Sequence, residues 1–160
     1  MWQKLSAVLK EITGYYEMLY TLNIKKRSVL VDINMELLEK IVKKEKEIAD
    51  HISAAEERRQ GIMLDLSAVC GGVKPGMKRF ELYQYIPEKY KDEIIERDDA
   101  LDKIVKKVME LAENNTLLIT SALSAVNFRL NQIGGSMVEP AYGQKGQEIV
   151  TKQKRFDYEA

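Results

Sequence analysis

Residues 88–133 read EKYKDEIIERDDALDKIVKKVMELAENNTLLITSALSAVNFRLNQI, and their pattern is the strongest indication of the fold in this sequence. This stretch contains no glycine and no proline, and its apolar residues recur at steps of three and four, which is the period of an amphipathic helix. Pro87 precedes it and Gly134-Gly135 follows it, and these are typical signals for the start and the end of a helix. The stretch therefore predicts one long helix over residues 88–133.

Two further helices are predicted upstream, over residues 2–29 and 35–70. The first has apolar residues at Trp2, Leu5, Leu9, Ile12, Tyr16 and Leu19, and this stripe weakens at Asn23 and Lys26. The second has a stripe from Leu38 to Val69 in which Glu45 and Arg59 are the polar exceptions. Asp32 or Asn34 is the expected N-cap between the two helices.

These patterns predict an all-α fold, an elongated antiparallel bundle of three long, coiled-coil-like helices. A short turn is expected near residues 78–86, between the second and third helices. Residues 1–133 would form the bundle, and residues 134–160 a flexible C-terminal tail, because the tail has too few large apolar residues to fold alone.

The composition excludes several classes of protein. Lys and Arg number 25 and Asp and Glu number 25, so we expect no nucleic-acid partner. No apolar run approaches the roughly 20 residues of a membrane span, so we expect no membrane insertion. One cysteine and one histidine favour a reducing cytoplasm and argue against a metal site, a cofactor or a catalytic constellation. The sequence therefore predicts a protein that is not an enzyme.

The two halves of the predicted helix over residues 88–133 differ in their content of charged residues. Fifteen of the 26 residues from Glu88 to Glu113 are charged, whereas none from Asn114 to Phe128 is. Solvated helix faces normally carry charges, so we expect another surface to cover this segment.

Helical geometry separates two apolar faces in the uncharged segment. Ile119, Val126, Leu130 and Ile133 fall on one line, which we expect to continue the apolar stripe into the protein's own bundle. Leu117 and Phe128 lie on the opposite face, flanked by Ser121 and Ser124. A partner protein, a second copy of the chain or the folded-back tail could cover that face, or the whole helix could be buried at the centre of its bundle.

The segment from Glu113 to Ile133 resembles the C-terminal helix of the FlgN-type flagellar export chaperones. The family's helix has spaced asparagines, then Leu-Leu, then an apolar run with an asparagine before its aromatic or aliphatic end, as in Asn114-Asn115, Leu117-Leu118 and Asn127-Phe128. A tail with tyrosine and glycine follows in the family, matched by residues 142–146, and residues 156–160 resemble its acidic, aromatic ending.

The resemblance implies a cytoplasmic chaperone for the hook-associated proteins of the bacterial flagellum. Such a chaperone binds a helical C-terminal segment of its substrate, prevents premature assembly and delivers the substrate to the type III export apparatus, whose components are further expected partners. The partner-binding residues that the resemblance indicates are Leu117, Leu118, Ser121, Phe128, Asn131 and Tyr142. A structural coiled-coil homo-oligomer, including a homodimer, and another kind of helical secretion chaperone remain the alternatives.

Overall fold

A computed structural model describes residues 1–134 of the chain, and all of its regular structure there is helical. The three long helices are α1 (Trp2–Val31), α2 (Met35–Val69) and α4 (Glu88–Gly134). A short helix α3 (Arg79–Leu82) and a 3-10 turn (Tyr83–Tyr85) lie between α2 and α4. The all-helical fold with three long helices is therefore confirmed. The predicted tail, residues 134–160, lies outside the described residues apart from Gly134.

The turn between α1 and α2 is fixed by one capping side chain. The Oδ1 atom of Asn34 accepts a hydrogen bond from the backbone N–H of Leu37 at 3.0 Å, which satisfies one of the free donors at the start of α2. Asp32 instead caps the end of α1, where its N–H donates to the carbonyl of Ser28. Of the two N-cap residues expected from the sequence, Asn34 has that role.

Side-chain contacts between the helices show their relative directions. Glu11 of α1 pairs with Arg58 of α2, and Lys26 of α1 pairs with Glu45 of α2, so α1 and α2 run antiparallel. Ser6 donates a hydrogen bond to Glu93 of α4 at 2.7 Å, and Asn115 of α4 bonds to Asn23 of α1, so α1 and α4 run parallel. The order of directions is up, down, up, as in a three-helix bundle with antiparallel neighbours in sequence.

The apolar core lies around the N-terminal half of α1. Ile12, Leu66 and Ile94, one from each long helix, are the largest fully buried side chains. The rest of this cluster comes from α1, α2 and the connection between α2 and α4, and includes Trp2, Leu5, Leu9, Met63, Val73, Leu82 and Ile86. Burial of these side chains provides the main stabilisation, because apolar area removed from water is the largest favourable contribution to folding.

Polar residues that interrupt the predicted stripes meet one another in the structure. The Nζ atom of Lys26 lies 2.7 Å from Oε2 of Glu45, and each side chain is only 18% exposed. Asn115, the polar interruption in α4, is 2% exposed and contacts Asn23, where the α1 stripe weakens. Lys26 with Glu45 and Asn23 with Asn115 are therefore paired across helices, which lowers the cost of burying them, whereas Arg59 pairs with Glu56 of its own helix. Within residues 1–134, Oδ1 of Asn115 is buried without a hydrogen-bond partner.

The connection after α2 packs tightly against the 3-10 turn. Gly72 has a φ of +104°, and a Cβ atom added to it would lie 2.5 Å from Cε1 of Tyr85. Glycine is therefore required there for both its backbone conformation and its small size. Tyr83 donates a hydrogen bond to Asp98 of α4 at 2.5 Å, and Arg79 of α3 lies 3.4 Å from the same carboxylate. These contacts hold the connection on α4.

Candidate functional site

The uncharged C-terminal part of α4 contains the candidate site. Residues 1–119 form one compact unit of the chain, and a second unit begins at Thr120. Every described side chain from Thr120 to Ile133 is exposed, except that of Asn131, which is half-buried. Residues 120–128 of this helix include no charged residue, and their side chains are nevertheless exposed to solvent.

Four large apolar side chains lie along one face of this segment, and we call them the α4 stripe. Their exposed fractions are 57% for Leu123, 53% for Val126, 59% for Leu130 and 85% for Ile133. Steps of three, four and three residues place them within a sector of about 80° of the helix. We expected Val126, Leu130 and Ile133 to continue the apolar stripe into the protein's own bundle, whereas each of these side chains is more than half exposed in the structure. No residue after Asn115 in the described chain is buried.

Phe128 occupies the other side of the same segment. It is 64% exposed, and Ser121, which is also exposed, points in nearly the same direction because seven residues make about two helical turns. Asn131 lies about 60° from Phe128 around the helix. Phe128 therefore adds a large apolar group on a face that is otherwise polar and uncharged, and the segment exposes apolar surface on two sides.

The remaining residues expected at the site lie elsewhere. Leu117 and Leu118 belong to the unit of residues 1–119, where Leu117 is 60% exposed and Leu118 is half-buried. Tyr142 lies outside the described residues. The exposure of the α4 stripe could not be read from its spacing, because the same spacing is expected of a helix that packs in its own bundle.

Groups with shifted pKa values lie away from this segment. Burial, followed by the hydrogen bond to Asp98, raises the pKa of Tyr83 far above its ordinary value. The hydrogen bond from Arg58 lowers the pKa of Glu11, and that from Ser6 lowers the pKa of Glu93. All these groups hold helices or the connection together, so their shifts reflect structural pairing.

The described part of the chain contains neither a group of metal-ligating side chains nor a helix that could span a membrane. Residues 1–134 contain no group of three or more His, Cys, Asp or Glu side chains placed to hold a metal ion. No helix among these residues combines the length and the hydropathy needed to cross a bilayer. The chemistry that the segment from Thr120 to Ile133 offers is apolar association with another surface.

An exposed apolar helix segment on an all-helical protein is suited to association with another helix. Comparison with protein-family models identifies the family: the model of the FlgN protein matches residues 1–148. This chain therefore belongs to the FlgN family, whose members are cytoplasmic flagellar export chaperones for hook-associated proteins and are not enzymes. Searches of curated proteins and of solved structures give no match to this chain.

Proposed function

We propose that the α4 stripe and Phe128 form the surface through which this FlgN protein binds the helical C-terminal segment of a hook-associated protein. The observation that carries the proposal is the exposure of Leu123, Val126, Leu130 and Ile133, each more than half accessible to solvent on an uncharged helix segment. A substrate segment with its own apolar face would cover this stripe and remove both surfaces from water.

The energetics fit a chaperone that must release its substrate. Full burial of a Leu, Ile or Val side chain contributes about 1.5–3 kcal/mol, and the four side chains of the stripe are already partly covered by their neighbours. Association costs about 4–15 kcal/mol in lost motion. This cost offsets a large share of the gain from burial, so we expect a moderate affinity that prevents the substrate from assembling early and still allows transfer to the export apparatus.

Further contacts extend this proposal. The family resemblance assigns Leu117, Leu118, Ser121, Asn131 and Tyr142 to substrate binding as well. Contacts with components of the export apparatus and formation of a homodimer are the additional associations that the sequence indicates. They belong to later steps of the same pathway or to the free chaperone, and the surface that binds substrate can be tested independently of them.

Calorimetric titration of the full chain with a synthetic peptide from the C-terminal helix of a hook-associated protein tests the proposal. We expect saturable binding by the wild-type protein. Leu130→Asp places a charge in the middle of the stripe, so we expect it to weaken binding at least about tenfold, a loss of about 1.4 kcal/mol. Phe128→Asp should weaken binding to a similar degree.

The matched control is Met109→Asp, which introduces the same charge at a 66% exposed apolar position of α4 outside the segment. It should bind the peptide as the wild type does. Equal binding by all variants would show that the substrate binds elsewhere, and equal loss in Met109→Asp would show that the effect is electrostatic and not local to the stripe.

A further inference from the structure

A shallow, mainly apolar groove runs between α1 and α2 in the unit of residues 1–119, and it shares no residue with the substrate surface proposed above. Leu22 and Ile48 form its floor, and Met18, which is 54% exposed, stands at its edge. Gly14 leaves open space at one end, since an added Cβ atom there would have no neighbour within 4 Å. Within the described chain, this groove is an apolar surface without an occupant.

Three charged side chains border the groove: Glu17 and Lys25 of α1 and Lys44 of α2. None of them forms a salt bridge within residues 1–134, although Lys26 and Glu45, their immediate neighbours in sequence, are paired with each other. A helix lying in the groove would therefore meet one unpaired carboxylate and two unpaired ammonium groups, and its own charges would have to complement them.

The spacing of these charges identifies the occupant. Glu17 and Lys25 lie four residues on either side of Thr21, which also lines the groove. If a second α1 helix runs antiparallel to the first, with a two-fold axis beside Thr21, residue 17 of each copy comes level with residue 25 of the other. Two Glu17–Lys25 pairs then form at once, about 12 Å apart at 1.5 Å per residue.

We propose that the α1–α2 groove is an isologous interface, in which α1 of a second copy of this chain packs antiparallel against α1 about a two-fold axis at Thr21. The same patch serves both copies, as closed two-fold symmetry requires. Met18 of each copy is covered, and the helices can approach closely because Gly14 has no side chain and that of Thr21 is small. One helix pair buries little area, so the dimer is weak and forms at high protein concentration. The proposal does not depend on how substrate is bound.

Cross-linking at the two-fold axis tests the geometry. In a Cys70→Ser background, which removes the natural thiol, Thr21→Cys places two thiols side by side across the axis, within the 7 Å between Cα atoms that a disulfide requires. We expect mild oxidation of the full chain to give a covalent dimer. Ser28→Cys is the matched control, because its two copies would be about 21 Å apart along the helices and should not cross-link.

Charge reversal tests the pairing. In sedimentation velocity over a concentration series, Glu17→Lys and Lys25→Glu should each raise the dimer dissociation constant about tenfold, because each makes two facing pairs repulsive. The double variant should restore dimerisation. Glu57→Lys, the same reversal at an exposed residue of α2 outside the groove, should have no effect.

Three outcomes would overturn the proposal. One is a chain that stays monomeric at every concentration. Another is a dimer whose dissociation constant does not change on charge reversal, or one that cross-links to the same extent through Ser28→Cys as through Thr21→Cys. The third is a dimer that dissociates in Phe128→Asp and persists in Glu17→Lys, which would place the contact on α4. Circular dichroism of each variant verifies its helical content, which substitution at these exposed positions should leave intact.

Discussion

The Nδ2 atom of Asn115 in α4 donates hydrogen bonds to the backbone oxygen and to Oδ1 of Asn23 in α1, at 3.0 and 3.2 Å. Both residues are buried, Asn115 at 2% and Asn23 at 5% exposure. Asn23 in turn donates its own side-chain N–H to the carbonyl of Leu19. A shift of α4 along α1 by one turn would break both hydrogen bonds from Asn115 and leave its amide N–H and Oδ1 of Asn23 without these partners, so the pair favours a single register of the two parallel helices.

Replacing one member of this pair should cost more than replacing both. Asn115→Leu leaves Oδ1 of Asn23 buried without its donor, and we expect a loss of about 1–3 kcal/mol in the free energy of unfolding. The double variant Asn23→Leu and Asn115→Leu removes both polar groups and should recover part of the loss. Urea denaturation of the two single variants and the double variant gives the coupling energy. Additive losses would show that the two amides do not act as a pair.

The three long helices could be predicted from the sequence because breakers and apolar periodicity are local signals. Gly71-Gly72 and Pro87 bound the connection between α2 and α4, and the observed helix ends lie within two residues of the expected ones. The pairing of Lys26 with Glu45 could not be predicted in this way. Each residue alone weakens a stripe, and only the antiparallel register of α1 and α2 shows that the two charges meet.

The outcome for the C-terminal part of α4 was harder to predict. The apolar positions Leu123, Val126 and Leu130 have the same spacing whether they contact a neighbouring helix of the bundle or solvent. Whether these side chains contact a helix or solvent depends on the tertiary packing of the chain, which the local sequence pattern does not specify. The absence of charges from Asn114 to Phe128 indicates a surface that a partner covers, and this assignment stays a prediction.

Phe128→Asp and Val108→Asp should differ sharply in stability. Phe128 is 64% exposed, so its replacement should change the free energy of unfolding by no more than about 0.5 kcal/mol. Val108 is 7% exposed, and an aspartate there buries an unpaired charge, which should cost at least about 3 kcal/mol or unfold the protein. Thermal unfolding followed by circular dichroism checks both. Melting of the helices in Phe128→Asp would show that this face is needed for folding.

Lowering the pH should weaken the contacts of α1 with α2 and α4. The hydrogen bond from Arg58 holds the pKa of Glu11 below its ordinary value of 4.5, and hydrogen bonds from Ser6 and Arg97 do the same for Glu93. A carboxyl group whose pKa is lower in the folded state stabilises the fold above the unfolded-state pKa. That contribution is lost as the pH falls through the folded-state pKa. The melting temperature should therefore fall steadily below about pH 4.5.

Removing these carboxylates should flatten that dependence. Glu11→Gln and Glu93→Gln should each lower the melting temperature at neutral pH and reduce its fall on acidification, because a glutamine does not titrate. Glu57→Gln, at an exposed residue that forms no salt bridge within residues 1–134, should follow the wild-type curve. If Glu11→Gln and Glu93→Gln kept the full wild-type pH dependence, other groups would have to account for the acid sensitivity.

Gly72 and Gly71 allow a comparison of two adjacent positions with opposite requirements. A Cβ atom at position 72 would lie 2.5 Å from the ring of Tyr85 and would add strain at a φ of +104°, whereas one at position 71 meets nothing within 4 Å. We expect Gly72→Ala to lower the free energy of unfolding by about 1–3 kcal/mol and Gly71→Ala to change it by less than about 0.5 kcal/mol. Combining Gly72→Ala with Tyr85→Ala should relieve the clash but not the backbone strain. Chemical denaturation of these three variants and of Tyr85→Ala alone separates the two contributions. A Gly72→Ala protein as stable as the wild type would show that the connection is free to move away from Tyr85.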